Sequence, residues 1–210
     1  MIDIKVFYVT MIMTNCYLLT DEKTGEMAVV DPGGKSDRLI EYVNSAGGKL
    51  KYVILTHGHY DHIGFSKQLA DMFGAEVVCP KKTQRFLNDK MLSHAAFHEE
   101  FSDIKPYDAD ILLTEGDTFM LGETEIRFIE TPGHTIDSGC YLFDDVLICG
   151  DTLFCESYGR TDLPTGDDRD MIASIKRLKE LDGNLKVLPG HGMLSDLDHE
   201  RKYNPLMRRV

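Results

Sequence analysis

The sequence predicts an α/β protein in which two β-layers are flanked by helices. Two observations predict it. Through the first half, apolar runs of strand length alternate with helical spacings, from residue 2 to residue 79. The second half repeats the plan from about residue 117, strands first and a helix later. At 210 residues the chain is long enough to bury a substantial core. It reads as a single domain over residues 1–210, with no repeat, linker or low-complexity segment.

Each element has its own signal. Residues 2–9 and 15–20 are an opening strand pair joined through Thr10-Met11-Ile12-Met13-Thr14. Residues 27–31 form a third strand, ended by the turn signal Pro32-Gly33-Gly34. Ser36 caps a helix whose apolar face is Leu39, Ile40, Val43 and Ala46, stopped by Gly47-Gly48. The run Tyr52-Val53-Ile54-Leu55 reads as a buried strand over about 50–55. A second helix is expected from near residues 61–63 to Phe73, terminated by Gly74, with another short strand at 75–79. The segment 81–108 breaks this rhythm. It carries Met91, His94, Phe97, His98 and Phe101 among acidic residues, and reads as a lid over a site.

Strands are predicted next at 117–120, 123–130, 139–143 and 145–149. Met171, Ile172, Ile175, Leu178 and Leu181 then recur at helical spacing over 168–182. A last strand at 185–188 precedes Pro189-Gly190-His191-Gly192, and a polar helix from about Ser195 closes the chain.

Composition narrows the function classes. The net charge of -12 argues against a surface built for nucleic-acid backbones or anionic membranes. No apolar stretch approaches the ~20 residues of a membrane-spanning helix. The N-terminus alternates like a strand and lacks a basic region, so no secretory signal is expected. The five scattered cysteines, Cys16, Cys79, Cys140, Cys149 and Cys155, include no Cys-x-x-Cys and suit a reducing cytoplasm. The expected partner is a small molecule.

The chemistry concentrates in Thr56-His57-Gly58-His59-Tyr60-Asp61-His62, directly after a predicted strand. Three imidazoles and a carboxylate this close would repel if protonated and would be costly to bury unpaired. A bound metal removes both problems. Three further donors follow strands, each after a glycine: His134, Asp151 and His191. Together, five imidazoles and two carboxylates can serve two metal ions in nitrogen and oxygen coordination, with one shared carboxylate.

The order His-x-His-x-Asp-His, Gly-His, Gly-Asp, Gly-His resembles the metallo-β-lactamase-fold superfamily. The segments Thr-Pro-Gly-His-Thr at 131–135, Gly-Asp-Thr-Leu-Phe at 150–154 and Gly-Arg-Thr-Asp-Leu-Pro at 159–164 resemble its short glyoxalase II-like branch, the hydroxyacylglutathione hydrolase-like enzymes. The resemblance implies a four-layer αβ/βα sandwich with the site at one edge, between two mixed sheets. It implies that His57, His59 and His134 hold one metal, that Asp61, His62 and His191 hold the second, and that Asp151 bridges them. The metals would be zinc, with iron or manganese as alternatives. Asp31 stands where the family carries an acidic residue that orients a ligand imidazole; it also reads as a turn-forming Asp before Pro-Gly. Arg160 stands where these enzymes contact glutathione, and is equally readable as an ion-pair partner of Asp162 or Asp167. Tyr158 and Tyr60 are candidates for lining the same pocket.

Two cations roughly 3.5–4 Å apart can share a hydroxide of pKa about 7, a nucleophile at neutral pH. Asp61 is expected to orient it and accept a proton. A thiolate leaving group, of conjugate-acid pKa near 8.5, needs no dedicated general acid, so a small thioester asks least of the visible residues. Oxygen-ester and lactone hydrolysis are alternatives. So is an iron-dependent persulfide dioxygenase, which would use His57, His134 and Asp151.

Overall fold

The computed structural model describes residues 1–47, 49–101 and 103–210. The first half contains β1 (Ile2–Val9), β2 (Thr14–Asp21), β3 (Met27–Val30), α1 (Asp37–Ser45), β4 (Leu50–Ile54), α2 (Tyr60–Ile63), α3 (Ser66–Phe73), β5 (Glu76–Pro80), α4 (Gln84–Leu87) and β6 (Ile111–Leu113). The second half contains β7 (Thr118–Leu121), β8 (Thr124–Glu130), β9 (Gly139–Phe143), β10 (Val146–Gly150), β11 (Leu153–Phe154), β12 (Ser157–Tyr158), α5 (Asp168–Lys179), β13 (Lys186–Pro189), β14 (Ser195–Asp196) and α6 (Leu197–Tyr203).

Two six-stranded mixed sheets form, in the orders β1-β2-β3-β4-β5-β6 and β14-β13-β10-β9-β8-β7. In the first sheet β1, β2 and β3 are antiparallel, whereas β3 to β6 run parallel. In the second, β7 to β10 form an antiparallel meander and β13 joins β10 in parallel.

The period-2 alternation of side chains sorts each strand between two cores. In β2, Tyr17 and Leu19 face the second sheet, meeting Phe128, Tyr141 and Ile148. Cys16 and Leu18 point the other way, onto Leu39 and Val43 of α1 and Leu69 of α3. The outer face of the second sheet, with Cys140, Leu147 and Val187, is covered by Met171, Ile175 and Leu178 of α5 and Leu197 of α6. Helix, sheet, sheet, helix is the expected four-layer sandwich. Among the described residues, no helix is long and apolar enough to cross a membrane.

The caps match their residues. Ser36 accepts from the Leu39 amide at 3.3 Å, and Asp167 accepts from Arg169 and Asp170 at 2.8 and 3.0 Å. Gly47 follows α1 in the left-handed region, while Gly48 lies outside the described residues.

Four expectations need correction. The helix expected over 61–73 is two helices broken at Gly64-Phe65. The break lets the chain press onto the Pro32-Gly33 turn: the Phe65 amide donates to Pro32 O at 2.9 Å, and a Cβ on Gly64 would lie 2.3 Å from Gly33 O. The 168–182 helix ends at Lys179, where the Glu180 amide turns back onto the Lys176 and Arg177 carbonyls. The edge strands β6 and β14 were not expected, nor was the hairpin β11-β12. All are of two or three residues, too short for a periodic signal.

Candidate metal centre

The donor residues gather where strands of both sheets end. β4 runs through Leu55 and Thr56 into His57, and α2 carries Asp61 and His62. β8 leads to His134, β10 to Asp151 and β13 to His191. Because β13 pairs in parallel with β10, Asp151 and His191 emerge at the same end of the sheet. Crowding there requires Gly190, where a Cβ would lie 2.2 Å from Asp151 Oδ1.

All seven predicted donors are brought together. His59 Nδ1 lies 3.2 Å from His57 Nε2 and 2.9 Å from His134 Nε2. Asp61 Oδ2 lies 3.1 Å from His191 Nε2 and 3.3 Å from His62 Nε2. Asp151 sits between the two groups. Its Oδ2 is 3.6 Å from both His134 Nε2 and His191 Nε2, and its Oδ1 is 3.4 Å from His62 Nε2.

Outer partners fix which imidazole nitrogens face inward. His62 Nδ1 donates to Asp31 Oδ2 at 2.9 Å, and His134 Nδ1 donates to the Arg160 carbonyl at 2.7 Å. The Thr56 hydroxyl donates to Asp31 at 2.7 Å, leaving its lone pairs to accept from His57 Nδ1 at 3.1 Å. With Nδ1 held outward in each, Nε2 of His57, His62 and His134 is directed at the centre. Imidazole nitrogens and carboxylate oxygens crowd there at 2.9–3.6 Å, a spacing that suits cations lying among them. His62 Nε2 and Asp151 Oδ1 have no hydrogen-bond partner among the described residues, although both are buried. The donor set therefore fits bound metal ions, in clusters typical of a dinuclear site.

The two donor groups differ electrostatically: burial opposes charge on His62 and His191, but the facing carboxylates outweigh it and raise both, so that without a cation these imidazoles hold protons that a bound metal would displace. Burial and neighbouring imidazoles hold His57 well below the ordinary histidine range, and burial brings His59 down to about 3. Both are neutral at pH 7, as lone-pair donors must be. Burial opposes ionisation of Asp151, but His62, His134 and His191 outweigh it and lower its pKa to about 2. Asp61 is likewise ionised, held low against burial by His62 and His191.

The centre opens into a cavity of 460 Å³, whose wall includes Ile12, Tyr60, His94, His98, Arg160 and Leu163 beside the donors. Residues 81–108 contribute His94 and His98 to this wall, and Tyr60 stacks on His98 with ring centroids 3.9 Å apart. Arg160 lines the cavity, and its guanidinium is paired with Asp162 at 2.6 and 2.7 Å, the ion pair that was the alternative reading. Tyr158 does not line the cavity. It is exposed on β12, because the β11-β12 turn directs it outward.

Three contributions escaped the sequence reading. The Thr14 hydroxyl donates to Asp61 Oδ2 at 3.1 Å, Arg160 acts through its backbone carbonyl, and Ile12 reaches the cavity from the β1-β2 loop. The first two depend on tertiary approach and leave no local pattern. The third had a signal: three consecutive large apolar residues where a hairpin tip is ordinarily polar.

Comparison with known proteins points the same way. A sequence model described as "Metallo-beta-lactamase superfamily" matches residues 9–191. The chain is 32% identical over 209 residues to "Hydroxyacylglutathione hydrolase GloC" of Haemophilus influenzae, covering 98% of each protein. It superposes on the crystal structure of the BLEG-1 B3 metallo-β-lactamase with a TM-score of 0.90, at 32% identity and with 98% and 99% of the two chains covered. The crystal structure of TTHA1623 in a di-iron-bound form gives a TM-score of 0.81 at 26% identity, covering 96% and 98%.

Proposed function

This chain belongs to the metallo-β-lactamase superfamily, as a metal-dependent hydrolase with a His-rich metal site, and we propose that it cleaves a small thioester of the S-acylglutathione type. The observation that carries the proposal is Asp151 standing between two clusters of inward-directed imidazole nitrogens, at the floor of an open cavity.

His57, His59 and His134 would hold one cation, Asp61, His62 and His191 the other, with Asp151 shared. Bound divalent cations supply Lewis acidity, lowering the pKa of water and polarising a carbonyl. The remaining chemistry belongs to the chain. Asp61, ionised and steadied by the Thr14 hydroxyl, orients the attacking water and accepts its proton. Asp31 and the Arg160 carbonyl hold the His62 and His134 rings, so the donors need little reorganisation. Arg160 lies on the cavity wall, where its guanidinium can meet a substrate carboxylate by exchanging its Asp162 partner.

A thiolate leaves without protonation, so the reaction does not depend on a general acid in the wall, where Tyr60 is raised to about 12 chiefly by burial. The likeness to GloC supports a glutathione thioester. Zinc is the metal we favour, and the di-iron relative makes iron the first alternative. Unpaired, mostly buried cysteines fit a cytoplasmic setting.

The test is a panel assay of the purified, metal-replete protein on S-lactoylglutathione, oxygen esters, lactones and glutathione persulfide. Thiol release from the thioester, abolished by chelation, is expected. Failure on every thioester, with oxygen uptake on the persulfide, would overturn the reading in favour of a dioxygenase.

A further inference from the structure

A second group of metal-binding side chains lies outside the cavity wall, where the β11-β12 turn meets α6. The turn supplies Cys155 and Glu156, and α6 supplies His199. Their thiol, carboxylate and imidazole donor atoms all lie within 4.8 Å of one another, and His199 Nε2 is 3.0 Å from Glu156 Oε1. Donors around one tetrahedral zinc stand about 3.3–3.8 Å apart. Closing to that distance asks for small rotations of the Glu156 and His199 side chains, which are 58% and 36% accessible. A surface ion pair between Glu156 and His199 accounts for two of the three groups. It leaves out Cys155, the one cysteine of five that is not fully buried.

An independent observation beside the cluster also calls for a cation. Glu200 is completely buried, and its carboxylate accepts from the Glu156 amide at 2.9 Å, the Asn204 side-chain amide at 3.0 Å and the Ser195 hydroxyl. It has no ion-pair partner among the described residues, although a buried carboxylate is costly without opposite charge nearby. Burial, and then the carboxylates of Glu200 and Glu156, raise the pKa of the Cys155 thiol, which therefore keeps its proton until a cation displaces it. The negative field that opposes the thiolate favours a metal ion at the same place.

We propose that Cys155, Glu156 and His199 form a further metal site, separate from the catalytic centre, for a zinc-like divalent cation with one position left to water. One thiolate, one imidazole and one carboxylate select zinc or cobalt over magnesium or calcium. The cation clamps the β11-β12 hairpin to α6. That hairpin leads into Gly159, where a Cβ would lie 1.9 Å from the Asp151 carbonyl oxygen, and into Arg160, whose carbonyl holds His134. A metal on the turn thus braces the segment behind the first donor group, whichever substrate the centre cleaves.

The experiment titrates the full-length, zinc-loaded protein with cobalt(II) and follows its absorption. The catalytic donors include no sulfur and the other four cysteines are fully buried, so a sulfur-to-cobalt charge-transfer band reports Cys155 alone, even where cobalt exchanges into the catalytic centre. The expected band saturates at one equivalent bound through sulfur and is absent in Cys155→Ser, whose circular dichroism stays native. In His199→Ala it requires at least about tenfold more cobalt, since even an outer partner of a ligand is worth that much. On the unsubstituted protein, zinc beyond the catalytic equivalents is expected to protect Cys155 from a thiol reagent. Absence of the band in the unsubstituted protein overturns the proposal, as does a band that persists in Cys155→Ser. So does a band unchanged in both His199→Ala and Glu156→Gln, which would leave a lone thiol binding cobalt, and so does labelling of Cys155 at the same rate with and without added zinc.

Discussion

Asp31 grips His62 from behind: its Oδ2 accepts from His62 Nδ1 at 2.9 Å, while its Oδ1 accepts from the Thr56 amide at 2.8 Å. One carboxylate at the end of β3 therefore orients a donor of the second metal group and, through the Thr56 hydroxyl, His57 of the first. Asp31 holds a φ of 52° to do so, a left-handed position that aspartate, like asparagine, tolerates better than most residues. Asp31→Ala is expected to weaken metal binding by about 10–100-fold, with Asp31→Asn intermediate. Titration against a competing chelator measures this. Unchanged affinity in the alanine variant would remove Asp31 from the site.

Gly190 is packed directly against two donor side chains. Its α-carbon leaves no room for a methyl, which would meet Asp151 Oδ1 at 2.2 Å and His62 Cε1 at 2.8 Å. Gly190→Ala should therefore strip metal from both positions while the far-ultraviolet circular dichroism of the sheets persists. Full metal content in that variant would contradict the placement of Asp151.

Arg160 and Asp162 form an exposed bidentate pair, 61% and 66% accessible at their side chains. Solvent screens such an exposed pair, so it contributes little to stability. Arg160→Ala is thus expected to leave the melting temperature nearly unchanged while raising KM for an anionic thioester about tenfold, with kcat little altered. A fall in kcat at constant KM would place Arg160 in the chemical step instead.

Asp137 is buried behind the His134 loop, accepting from the Thr83 hydroxyl at 2.8 Å, with its Oδ1 unpartnered among the described residues. Burial raises its pKa, so the folded state holds this proton more tightly than the unfolded chain, whose carboxyl titrates near 3.9. Its contribution to stability is full below about pH 4 and is lost as pH rises through the folded value. Thermal melts of metal-free Asp137→Asn and wild-type protein should diverge in favour of the variant between about pH 4 and 7. Parallel curves would show that Asp137 stays ionised.

What could be read in advance followed from where the physics is local. Apolar runs of strand length precede the 57–62 cluster and each of His134, Asp151 and His191, the last three directly after a glycine, so seven donors could be named without coordinates. Thr14, the Arg160 carbonyl and the Gly64 break arise from contacts between segments distant in the chain, which no spacing encodes. Tyr158 was assigned by its place after Asp151, but the two-residue turn Cys155-Glu156 sends it to the surface.

The central claim is that a shared Asp151 makes two cations act on one thioester. Its most direct measurement is thiol release from S-lactoylglutathione as metal is added back to the metal-free protein. The account predicts a rate that climbs to a plateau at two equivalents per chain, with Asp151→Ala inactive and depleted of metal at both positions. A plateau at one equivalent, or an Asp151→Ala variant that keeps two metals and full activity, would contradict it.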